Sequence, residues 1–206
     1  LLCVEQVLAA SSVRAEDIAQ VIHGTTLATN ALIERTGART AMITTEGFRD
    51  VLEMGTESRF DQYNLNLQKP TPLIPRHLRI VVPERMSAAG DVLLDLDEAS
   101  LAASLPKLLD EEIESLAIAL LHSYVNPAHE RRVHDIVRAA MPDLPISLSS
   151  EVSPEIREYD RFTTTAANAY IQPVVAPYLQ NLERRLKEIG VPSALYLMLS
   201  NGGISD

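Results

Sequence analysis

Cysteine is nearly absent, since Cys3 is the only one in 206 residues. Intrachain disulfides and cysteine-based zinc sites are thereby excluded, and a reducing compartment is expected. Basic residues are also scarce, 18 Lys and Arg against 28 Asp and Glu, giving a formal charge of −10. Adjacent arginines occur from Arg131 and from Arg184, each within an ordinary charged helix face. Without a basic stripe to neutralise phosphates, a nucleic-acid surface is excluded. No apolar run is long enough to span a bilayer, and the composition is cytoplasmic in type. Neither a P-loop of the form G-x-x-x-x-G-K-S/T nor a G-x-G-x-x-G dinucleotide fingerprint occurs. A G-x-S-x-G nucleophile elbow is missing too.

What is present is a globular composition, 46% hydrophobic and 22% charged, with room for one large domain or one plus part of another. The chain opens on "LLCVEQVLAA", in mid-helix, and stops at "LYLMLSNGGISD", just after a strand and a glycine turn. An interior piece of a longer protein is the expectation.

The stretch "VIHGTTLATNALIERTGARTAMITTEGFRD", Val21 to Asp50, reads strand, polar turn, helix, strand, helix. That order predicts a crossover unit of an α/β protein, with the polar turn where such folds place ligands. Thr25 or Thr26 can cap the helix, and Gly37 is its natural stop. About twenty irregular residues follow Gly55, a length that is usually functional or an interface. "RIVVPERMSAAGDVLLDLD" predicts a hairpin turning at Gly90 and Asp91. A second α/β series then alternates "DEASLAASLPKLLDEEI", "SLAIALLHSY", "NPAHERRVHDIVRAAM" and "PISLSSEV". From Pro154 to Ile189 the pattern is helical, with Pro173 and Pro177 expected to kink or divide it. "ALYLMLS" is the last strand.

Several groups offer chemistry, each with a plainer structural reading beside it. "HGTT" presents backbone N–H groups at a helix start and two hydroxyls, which suits an anion or an amide; equally, Gly24 permits the turn and Thr25 caps. His129-Glu130 followed by His134 fails the H-E-x-x-H pattern, because five residues turn the second imidazole about 140° from the first. His122 and His129 therefore read as loop and helix-start residues, not as a zinc site. Arg59, Asp61 and Tyr63 crowd the long loop, as cleft residues or as a surface ion pair. Paired glycines in "SNGG" permit close approach of backbone to a ligand, or an ordinary turn.

Taken together, these blocks resemble the hydantoinase A/5-oxoprolinase family. "HGTTLATNALIERTGARTAMITTEGFRDVLEMG", "KPTPLIPRHLRIVVPERMSAAGDVLLDLD", "LLHSYVNPAHERRVHDIV", "LSSEVSPEIREYDRFTTTAANAYIQPVVAPYL" and "MLSNGG" stand in that family's order along the whole chain. The family includes N-methylhydantoinases, ATP-dependent 5-oxoprolinases and subunits of acetone and acetophenone carboxylases. The resemblance implies an α/β fold of the actin, sugar-kinase and chaperone type, with ribonuclease-H-like lobes that are incomplete here at both ends. It implies residues 1–145 as part of the N-terminal domain and 146–206 as the start of the main domain. The implied chemistry is ATP-dependent opening of a cyclic amide, with Mg2+ bridging the phosphates and a hydantoinase B-like partner completing a heteromer.

The same resemblance places His23, Gly24, Thr25, Thr26, Asn30 and Arg59 on one wall of the cleft. Asn201, Gly202 and Gly203 then face them. An ATP-using ketone carboxylase subunit is the alternative within the class, and a non-catalytic docking module the alternative outside it. The family's Asp-Gly-Gly-Thr phosphate loop and its second glycine loop are not in this sequence, so ATP and Mg2+ are expected to be held mainly by segments outside it. Phosphoryl transfer depends on many converging donors around a metal-bridged triphosphate. This chain alone is therefore expected to show no ATP turnover with hydantoin, 5-oxoproline or acetone, and turnover comparable to the longer protein would refute that.

Overall fold

In the computed structural model the described residues are 2–11, 13–56, 63, 64, 66, 69–199 and 202–205. The first half of the chain runs α1 (Leu2–Ala10), β1 (Val21–His23), α2 (Leu27–Glu34), β2 (Thr40–Thr45), α3 (Val51–Met54), β3 (Arg79–Val82), β4 (Arg85–Met86) and β5 (Val92–Leu94). The second half runs α4 (Glu98–Asp110), β6 (Ser115–Ala119), α5 (Ala128–Ala140), β7 (Ile146–Leu148), α6 (Ser149–Val152), α7 (Glu158–Glu188), β8 (Leu195–Met198) and β9 (Ile204–Ser205). Two compact units result, one of Leu1–Arg35 with Val174–Asp206 and one of Thr36–Pro173. Among the described residues no helix is long and apolar enough to cross a membrane.

The larger unit is built on a parallel sheet in the order β3-β2-β6-β7. Its central strands "TAMITT" and "SLAIA" are buried at every position, as befits strands covered on both faces. Helix α4 buries Leu101, Leu105 and Leu108, a helical-spacing stripe whose residues are each worth about 1.5–3 kcal/mol when removed from water. Asp97 starts that helix by accepting from the Ser100 N–H at 2.9 Å.

Helix α5 buries Val133 and Val137, and on the same face it buries a carboxylate, Glu130. One Glu130 oxygen accepts from the Leu120 N–H at 2.9 Å and the Ser149 hydroxyl at 2.6 Å. The other accepts from the Ser150 N–H at 2.9 Å. Ser149 in turn accepts from Arg161 Nε at 3.2 Å, while that guanidinium also donates to the Leu120 and Glu155 carbonyls. Glu130, Ser149 and Arg161 have no exposed surface. Burial pushes the Arg161 guanidinium below its ordinary value, and the nearby Glu130 charge opposes that shift.

Several expectations are corrected here. Strands β1 and β2 do not share a sheet: β1 pairs with β8, and β2 joins β3 and β6. Helix α2 ends on Arg35, at φ 56°, instead of on Gly37. Gly37 serves packing, since a Cβ there would lie 2.1 Å from the Tyr170 ring. "RIVV" became a strand of the parallel sheet, leaving the hairpin to β4 and β5 around Gly90 at φ 91°. Pro173 and Pro177 lie inside a single 31-residue helix, α7.

Replacing Glu130 with Ala would strip the Leu120 and Ser150 N–H groups and the Ser149 hydroxyl of their acceptor and remove the larger of the two carboxylate charges that favour the buried Arg161. A loss of about 3 kcal/mol or more is expected in urea unfolding. A loss under about 1 kcal/mol would show that the carbonyls alone satisfy the arginine.

Candidate functional site

The smaller unit carries the "HGTT" turn. Strand β1 runs parallel to β8, with Val21, Ile22 and His23 opposite Leu195, Tyr196 and Leu197. The chain leaves β1 at His23 and enters α2 at Leu27, so the polar turn sits at the carboxyl end of a parallel pair. Thr25 Oγ1 accepts from the Leu27 N–H at 3.2 Å. Thr26 occupies the cap position, and its hydroxyl makes no capping bond. Of the two candidates for capping, Thr25 is therefore the one that does it.

An open hollow of about 650 Å3 lies against this turn, lined by Gly24, Thr25, Thr26, Thr29, Met198 and Leu199. That volume is in the range of small-molecule sites. Its polar residues are three threonines, Thr25, Thr26 and Thr29, of which Thr25 already accepts the Leu27 N–H. Gly24 keeps a negative-φ conformation, and a Cβ there would meet only Met198 at 4.0 Å. Glycine at this position is thus not demanded by the turn; it leaves the hollow open beside the backbone.

His23 is held from a distance in sequence. Its Nε2 lies 3.0 Å from the Tyr178 hydroxyl, with the ring centroids 5.7 Å apart. This contact fixes the plane of the imidazole at the entrance to the turn. Thr29 and Tyr178 escaped the sequence reading. Thr29 was findable as the residue three after Thr26 on the same helix face. Tyr178 carried no signal of its own.

With the turn and its hollow in view, similarity to known proteins gains a structural frame. The description "Hydantoinase/oxoprolinase N-terminal region" matches residues 2–141, and "Hydantoinase/oxoprolinase" matches residues 161–206. The chain belongs to the hydantoinase/oxoprolinase family. The caprolactamase subunit alpha of Pseudomonas jessenii is 37% identical over 186 residues, covering 89% of this chain and 27% of that protein. The 5-oxoprolinase of Saccharomyces cerevisiae is 38% identical over 208 residues, covering 89% of this chain and 16% of that protein. The crystal structure of the ATP-dependent caprolactamase from Pseudomonas jessenii superposes with TM-score 0.88 at 34% identity, over 98% of this chain and 30% of that one. A nucleotide-free acetone carboxylase structure gives 0.83 at 28% identity, over 90% and 28%. The chain thus spans under a third of the length of these relatives. The parallel β3-β2-β6-β7 sheet and these likenesses bear out the α/β fold, consistent with lobes of the actin-like ATPase type.

The remaining residues of this hydantoinase/oxoprolinase chain fall as follows. Asn30 is exposed one turn along α2 from Thr26 and is not among the residues lining the hollow. Gly202, at φ 83°, and Gly203 form the tight turn between β8 and β9, where Gly202 donates to the Leu199 carbonyl and Leu199 to the Gly203 carbonyl. Arg59 and Asn201 lie outside the described residues. His129 Nδ1 is bonded at 2.7 Å to the buried Glu84, which also takes the Thr45 hydroxyl. His122 adopts a positive φ of 55° and packs edge-on to Tyr124.

Tyr178→Phe removes the hydroxyl that holds His23. A shifted His23 tautomer balance is expected in long-range 1H–15N spectra, with stability unchanged to within about 0.5 kcal/mol. Identical His23 ring signals in both proteins would show that the contact does not orient the imidazole.

Proposed function

We propose that this chain is part of an ATP-dependent hydrolase of cyclic amides, and that the turn from His23 to Thr26 forms a wall of its cleft. The observation that carries the reading is the hydroxyl-lined hollow beside Gly24 at the carboxyl end of β1. The names of relatives matched along nearly the whole chain, a caprolactamase subunit and a 5-oxoprolinase, supply the substrate class. In this reading residues 1–145 and 146–206 belong to successive regions of a longer protein that works with a hydantoinase B-like partner.

A lactam resists hydrolysis at neutral pH because its nitrogen lone pair is delocalised onto the carbonyl. ATP, when bound, supplies the driving force and a leaving group by phosphorylating that oxygen. The residues of this chain bind and orient. Thr26 and Thr29 hydroxyls donate to an oxygen-rich edge of nucleotide or substrate. His23, its Nε2 against the Tyr178 hydroxyl at 3.0 Å, stands at the start of the turn. The lining holds no carboxylate, and among the described residues no three metal-binding side chains gather. Mg2+ is ordinarily anchored by one or two carboxylates, so the hollow by itself does not fit it.

A second reading, the ATP-using subunit of a ketone carboxylase, is favoured by the likeness to acetone carboxylase. The two are separated by assaying the longer protein with its gene neighbour on caprolactam, hydantoin and 5-oxoproline, and on acetone with bicarbonate.

Thr25→Ala is expected to cost about 1 kcal/mol through the lost cap. Thr26→Ala, with no capping bond to lose, is expected to leave stability unchanged to within about 0.5 kcal/mol. Both are expected to lower turnover of the longer protein at least tenfold after correction for folded fraction. Activity that only follows the folded fraction would reduce the turn to a helix start.

A further inference from the structure

Helix α7 passes from one unit into the other, and two prolines stand where it does. The chain crosses between the units twice, at Arg35–Thr36 and at Pro173–Val174. In the first half of α7, Arg161, Phe162, Thr165, Ala166, Ala169 and Tyr170 are buried. From residue 171 to residue 185 no position is buried, so no core packing holds that stretch straight. Pro173 and Pro177 lie within it and have no N–H to give. The Ala169 and Pro173 carbonyls therefore lack the donor four residues on, a recognised cause of helix bending.

Firm attachments bracket the stretch. Before it, the Tyr170 carbonyl accepts from the Ala38 N–H at 2.9 Å, and a Cβ at Gly37 would lie 2.1 Å from the Tyr170 ring. Both crossings are thereby tied to one another within the larger unit. After it, the Tyr178 hydroxyl lies 3.0 Å from His23 Nε2 within the smaller unit. The other crossing is equally short. Helix α2 closes on Arg35, which is left-handed at φ 56° and donates its N–H to the Ala31 carbonyl. Arg35 and Thr36 are both exposed.

We propose that residues 171–177, with Arg35 and Thr36, form a two-strand hinge about which the smaller unit turns as a body, carrying the His23 turn with it. Hinges are a few positions that absorb the backbone change, and the prolines confine the bend to one place in a continuous helix. Two prolines inside α7 thus have a reason that neither core packing nor helix propensity supplies. The inference is independent of what the turn binds.

The test is double electron–electron resonance on the longer protein with its other exposed cysteines replaced. One spin label sits on Cys3, which is exposed in the smaller unit, and one on Ala103→Cys, at an exposed position of α4 in the larger unit. The control pair, Ala103→Cys with Ala139→Cys, lies wholly within the larger unit at exposed positions. The distance distribution between units is expected to be at least twofold wider than the control. Pro173→Ala with Pro177→Ala restores both N–H groups and is expected to narrow it to the control width, with Pro177→Ala alone in between. A distribution as narrow as the control in the unsubstituted protein, or one unchanged by the double substitution, would overturn the proposal.

Discussion

Glu130 is a carboxylate with no exposed surface, and a buried charge is tolerable only when every oxygen finds a donor. It sits in the first turn of α5, where the helix dipole favours a negative charge. Its two oxygens gather the N–H groups of Leu120 and Ser150 and the hydroxyl of Ser149. Those groups stand where β6 ends and where β7 passes into α6. Arg161 closes the arrangement from α7 through Ser149 and two carbonyls. Strand ends, helix start and the first turns of α7 are therefore positioned together, and no member can move without exposing an unpaired polar group.

A second buried carboxylate holds one of the histidines in place. Glu84 takes the Thr45 hydroxyl and His129 Nδ1, so β2, the segment after β3 and the start of α5 meet at one acid. Thr45 also accepts from the Leu121 N–H, which carries the same set to the end of β6. The imidazole of His129 is thereby held by its own carboxylate. His122 owes its place to a left-handed backbone, a conformation in which a β-carbon residue is uncommon.

The smaller unit is organised differently. The hollow beside Gly24 is lined by Thr25, Thr26 and Thr29, with Met198 and Leu199 as its apolar side. Threonine hydroxyls form directional hydrogen bonds and carry no formal charge. His23 is the one titratable group at the turn, and its orientation comes from a tyrosine on α7.

Local chemistry in the sequence determined the strands "TAMITT" and "SLAIA", the helix entered through Thr25 and the position of the polar turn. These depend on periodicity, caps and turn residues within a few positions of one another. Thr29 was within reach of the same reasoning and was missed. What the tertiary structure alone decided was partnership. Strand β1 could have joined β2, which follows it closely, yet it pairs with β8 near the other end of the chain. Gly37 resembled a helix stop until the Tyr170 ring supplied its real reason, and Pro173 and Pro177 resembled breaks until α7 absorbed both. Tyr178 meets His23 across 155 positions. A short apolar strand specifies that it will be paired, not with which strand, because its side-chain pattern is satisfied by any neighbour that buries it; only the packed chain selects one.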